Sequence, residues 1–153
     1  MALTSDGICA QILGSIATYR AYPSFHTAND CMVVVNHLIR KFSEPASREG
    51  LITIIRSSKI VDGTKTRIEH VIPVKVVMDM LISDWRDTAV TNQNVLKLKE
   101  FLRDNLLLAE ITHEEDGMLN QCGLQKKMPS NWDGVDLFAR YRAAGIFSNM
   151  IQN

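Results

Sequence analysis

Apolar residues recur three and four positions apart along most of this chain, and a proline or glycine stands near most of the breaks in that recurrence. An apolar stripe with that period is one face of a helix, so the pattern limits the chain to short amphipathic helices packed through their stripes. Ile8, Ile12, Ile16 and Tyr19 place one helix from Ser5 to about Tyr19, with Ser5 or Asp6 as cap and Pro23 beyond its end. Met32, Val35, Leu38, Ile39 and Phe42 place a second, from Thr27 or Asn29 to Phe42, followed by a turn at Ser43-Glu44-Pro45.

The segment from Ala46 to Ile60 carries Leu51, Ile54 and Ile55 at helical spacing, but its β-branched density also suits a strand. Helix is the expectation there. Asp62-Gly63 marks a turn, and Lys65 to Ile72 alternates polar and apolar residues as a strand does. Pro73 then opens a helix from Val74 to about Trp85, with Val77, Met80, Leu81 and Trp85 turned inward. Thr91 caps the next helix, to about Asn105, and the apolar run Leu106 to Ile111 suits a buried strand paired with Lys65 to Ile72. Thr112 and Glu115 form a capping box for a short helix closed by Gly123. Asp136 caps a last helix ending near Gly145. The fold class expected is α+β, predominantly helical: about six helices and a small two-stranded sheet, residues 65–72 and 106–111, in a single domain over residues 1–153.

Composition narrows the function classes. Seventeen basic residues balance seventeen acidic ones, so no overall field draws the chain to nucleic acid or anionic lipid, and any such binding needs a local basic patch. No segment approaches about 18 consecutive apolar residues, and the N-terminus lacks a signal-peptide pattern, so no membrane role is expected. Cys9, Cys31 and Cys122 are odd in number and far apart, which suits a reducing, cytoplasmic setting.

Chemistry concentrates at Thr66-Arg67-Ile68-Glu69-His70-Val71-Ile72-Pro73. On a strand His70 shares a face with Ile68 and Ile72, while Glu69 faces the other way with Arg67 and Val71. A histidine between isoleucines is expected to be at least partly desolvated and neutral near pH 7, able to act as general base or metal ligand. The same pattern fits a buried histidine bonded to a carbonyl.

The run Glu69-His70-Val71-Ile72-Pro73, an acidic residue followed by His, two residues and Pro, resembles the opening motif of HNH (ββα-metal) nucleases. The resemblance implies a metal-dependent endonuclease that hydrolyses phosphodiester bonds. Glu69 would then hold a divalent ion such as magnesium or manganese, and His70 would activate water. Asn92 or Asn94, then His113, restore the order His, Asn, His, with Asn94 and His113 as catalytic assistants; two expected helices separate them from the first motif.

Residues 69–146 are also similar to uncharacterised bacterial proteins in which EHV-x-P precedes T-x-E-E-D-x-x-L-N and a final RY-x-x-x-GI. That likeness implies Glu69, His70, Glu115, Arg140 and Tyr141 around one site, with Arg140 clamping a phosphate or carboxylate. Without it, Arg140 and Tyr141 read as an exposed cation and a half-buried aromatic on an amphipathic helix. Glu114, Glu115 and Asp116 either ligate a metal or complement a helix N-terminus. Asn131 to Asp136 reads as a turn anchored by Trp132. Arg56, Lys59, Lys65 and Arg67 form a basic group able to meet phosphates, and make Arg67 a candidate substrate contact.

The alternative to hydrolysis is a small phage or mobile-element protein that binds and inhibits a host protein partner. A homodimer through Met78, Met80, Leu81 and Trp85 is the third expectation.

Overall fold

A computed structural model describes residues 3–44 and 52–150, and these fall into two compact units. One holds residues 3–44 and 77–104, the other residues 52–76 and 105–150. The described residues form six helices and a three-stranded mixed sheet, an α+β fold that is predominantly helical. None of these helices is long and apolar enough to cross a membrane.

The first unit is all helical. Helix α1 (Ser5–Ala21) and α2 (Ala28–Phe42) pack on each other through Ile8, Cys9, Ile12, Leu13 and Ile16 on one side, and Cys31, Val35, Leu38, Ile39 and Phe42 on the other. The cap of α1 is Thr4, one residue earlier than Ser5: its extended backbone aims the hydroxyl at the Gly7 amide, 3.0 Å away. Thr27 and Asp30 exchange side-chain and backbone bonds in a capping box at α2. The buried Ser15 hydroxyl lies 3.0 Å from the His26 Nε2 and donates to Cys31 Sγ. Most of α3 (Val74–Asp84) and α4 (Asn92–Asn105) complete this unit, with Val77, Met78, Leu81, Leu98 and Leu102 buried. Of the four residues expected at a subunit contact, Met78 and Leu81 are thus already buried within the chain, and Met80 and Trp85 are half-buried.

The second unit carries the sheet, in the order β1-β3-β2. Strand β3 (Leu108–Thr112) lies in the middle, parallel to β1 (Ile54–Arg56) and antiparallel to β2 (Thr66–His70). The pairing of β2 with β3 is as expected, but β1 is an addition. Residues 54–56 belong to a strand and not to the expected helix, while residues 46–51 lie outside the described residues. Ile54 and Ile55 satisfy either pattern locally, and the parallel partner decides between them.

The inner face of the sheet packs Val71, Ala109 and Ile111 against Leu119 and Leu124 around helix α5 (His113–Gln121). Tyr141, Ala144, Ile146 and Met150 close this core from helix α6 (Ala139–Ala144) and the 3-10 turn after it. Helix α6 begins three residues later than Asp136, because the Asp136 carboxylate accepts from the Phe138 amide in a turn preceding the helix. Gly145 ends α6 at φ 77°, in the left-handed region that glycine enters without strain.

Candidate functional site

Strand alternation makes one face of β2 inward, and it is the face of Glu69. Glu69 stands opposite Ala109 and beside Val71, which is fully buried. Ile68, on the other face, is 48% exposed, and His70 is half-buried. His70 is thus partly covered, with Ile72 buried beside it and Ile68 not, and the most deeply buried ionisable group of this motif is the Glu69 carboxylate. The inner face is the one the helices cover, and α6 brings a cation to it.

That cation is Arg140, which is 0% exposed. Its Nη2 donates to Glu69 Oε2 at 2.8 Å, to the His70 carbonyl at 2.8 Å and to the Val71 carbonyl at 2.9 Å. Nε reaches the Val71 carbonyl at 3.1 Å, and Nη1 reaches the Leu124 and Gln125 carbonyls at 2.8 and 3.3 Å. The guanidinium fork therefore ties the end of β2 to the segment after α5. Tyr141 adds its hydroxyl to the same Glu69 oxygen at 2.9 Å. Burial pushes the Glu69 carboxyl up from the ordinary carboxylate range, against the charge of Arg140 and the Tyr141 hydroxyl, which pull it down. Burial, reinforced by Glu69, pushes the Tyr141 phenol far up, so it remains a donor.

Glu69, Arg140 and Tyr141 thus converge, but the carboxylate that Arg140 clamps belongs to the chain itself. The amphipathic-surface reading of this pair is corrected: both side chains are buried.

The remaining candidates make other contacts. Asn94 lies in the first unit, in the first turn of α4, where its side-chain amide donates to the Ala89 carbonyl at 2.9 Å. Arg67 is exposed and pairs with Asp116 at 3.2 Å. His113 opens α5 and lines a cleft of about 600 Å³ together with Lys59, Thr64, Lys65 and Asn149.

Glu115 stands on the wall of that cleft and is 3% exposed. It closes the α5 capping box through the Thr112 amide at 2.9 Å, and its other oxygen accepts from Ser57 at 2.9 Å and Asn149 at 2.8 Å. Burial works to raise the Glu115 carboxyl, but these donors, the Thr112 amide foremost, outweigh it and hold the group below its usual range. Among the described residues no three His, Cys, Asp or Glu side chains gather as a metal site would require. The carboxylates of Glu69 and Glu115, the two expected ligands, are engaged by protein donors.

Sequence reasoning did not find the Ser57 and Asn149 bonds to Glu115, because nothing in either residue's local context marks a partner so distant along the chain. It also missed the outer face of the sheet, where Arg56 Nε and the Thr66 hydroxyl bond Glu110 at 2.9 and 2.7 Å. Those two bonds hold the Glu110 carboxyl below its ordinary range. The Trp132 turn is as expected, with Nε1 donating to the Asp136 carbonyl at 2.8 Å and Asp133 accepting from the Val135 and Asp136 amides. Compared with known proteins, the chain matches no family model, no curated protein and no solved structure.

Proposed function

We propose that this protein acts by holding a partner protein rather than by hydrolysis. The observation that carries this reading is an aromatic pair at the turn between α1 and α2. Tyr22 and Phe25 stack with centroids 5.1 Å apart and planes 21° apart, yet they are 55% and 72% exposed. Backbone bonds from the Phe25 and His26 amides to the Tyr22 carbonyl, at 3.3 and 2.9 Å, fix the turn that presents them. Two rings already held in place lose little freedom on docking, and rigid aromatic side chains dominate the binding energy of protein interfaces.

The test is affinity capture with the purified chain as bait. The wild-type protein is expected to retain a discrete partner, and Tyr22→Ser/Phe25→Ser to lose at least ten-fold of it with an unchanged circular-dichroism melt. Equal retention would remove the reading. Light scattering covers self-association: a concentration-dependent dimer abolished by the same substitutions would make the partner a second copy of this chain.

An HNH-type activity would ask Glu69 to grip a cation, and Arg140 and Tyr141 hold that carboxylate inside the second unit. Incubating plasmid DNA with magnesium, manganese or nickel separates the two readings. The binding reading expects no cleavage above buffer. Metal-restored cleavage that His70→Ala abolishes would establish the nuclease instead.

A further inference from the structure

The basic group of the 56–67 segment is sorted by the fold into two kinds of cation. Arg56 is paired with Glu110 and Arg67 with Asp116. Lys59 and Lys65 have no ion-pair partner among the described residues, and these two line the cleft of about 600 Å³ in the second unit. An ammonium is a strongly hydrated point charge that meets phosphoryl oxygens without demanding a fixed geometry. Thr64 and His113 lie on the same lining.

Glu114 and Glu115, at the start of α5, also line this cleft. Glu115 is held there by Thr112, Ser57 and Asn149, so its position is fixed. A lining that carries both cationic and acidic groups suits a ligand that is itself divided, with an anionic group at one end and hydroxyl or amino donors at the other. The volume lies in the range of sites for ligands the size of a nucleotide.

We propose that this cleft binds a small phosphomonoester, its phosphoryl group between Lys59 and Lys65 and its hydroxyl or amino donors toward Glu114. The site belongs to the second unit and is independent of the aromatic pair on the first.

The test is an amide-resonance titration of the full chain with adenosine 5′-monophosphate, adenosine and a single-stranded oligonucleotide, for wild type and for Lys59→Ala/Lys65→Ala. Both lysines are exposed, so the double variant is expected to keep the wild-type fold. The monophosphate is expected to shift amides of residues 59–65 and 112–118 at millimolar concentration or below. Adenosine, and the double variant with the monophosphate, should each bind at least ten-fold more weakly. Equal binding by the double variant, or no shift in the wild type, would overturn the proposal. Binding of the oligonucleotide without the monophosphate would overturn it too, since the phosphate recognised would then belong to a polymer backbone.

Discussion

Arg140 is the residue whose replacement should be felt most. Its guanidinium neutralises a buried carboxylate and serves the carbonyls of His70, Val71, Leu124 and Gln125 at once. Removing one member of a buried pair leaves the other charge uncompensated, which costs about 3–5 kcal/mol. Arg140→Met is therefore expected to lower the urea-unfolding free energy by about that amount, and Tyr141→Phe by about 2 kcal/mol, the size of one hydrogen bond to a charged group. Adding Glu69→Leu to Arg140→Met should cost less than the two single losses combined, because the stranded charge is gone. A loss below about 0.5 kcal/mol for Arg140→Met, the size of an ordinary surface substitution, would show that the network contributes little. At this scale the alternating pattern put Glu69 and His70 on opposite faces of the strand. Which of the two faces inward was not legible, because an alternating strand looks the same from either side until a helix covers one.

Among the elements, α5 was the most legible, because a capping box is a local exchange between residues three apart and needs no tertiary partner. The tertiary structure added Ser57 and Asn149 to the same carboxylate, and that addition has a pH signature. The folded Glu115 sits below its unfolded value, so its contribution is present above about pH 4.3, the usual glutamate value, and is lost as pH falls through the folded pKa. Stability measured by urea titration should fall from about pH 5 toward pH 3 in the wild type. Glu115→Gln should start about 1–2 kcal/mol lower at neutral pH, one lost charge-assisted hydrogen bond, and show a flatter profile in that window. Parallel profiles would mean that Glu115 contributes nothing through its charge. Strand β1 is the opposite case: its residues read locally as either helix or strand, and the edge that β3 offers parallel to it decides for strand. Helix α6 is intermediate, since its end at Gly145 was readable, while its start depended on how the Asp136 carboxylate bonded the following turn.

For the whole molecule, seventeen acidic and seventeen basic residues leave no net charge to hold copies apart at neutral pH. Solubility at low salt is expected to be lowest at about pH 7 and to rise as pH moves away from it in either direction. Static light scattering across pH 5–8 checks this, and a minimum far from neutrality would contradict it. The sequence by itself determined the helical periods, the capping box at Thr112, the glycine stops, the pairing of a strand within 65–72 with one within 106–111 and hence the fold class, because each of these is a relation between residues near in the chain or a match of two alternating patterns. Only the tertiary structure decided that Arg140 lies buried on Glu69, that residues 54–56 form a third strand, and that Lys59 and Lys65 share a cleft with His113. Those outcomes join residues tens of positions apart, and burial, which sets what a charged side chain can do, is a property of the packed fold and not of its local sequence.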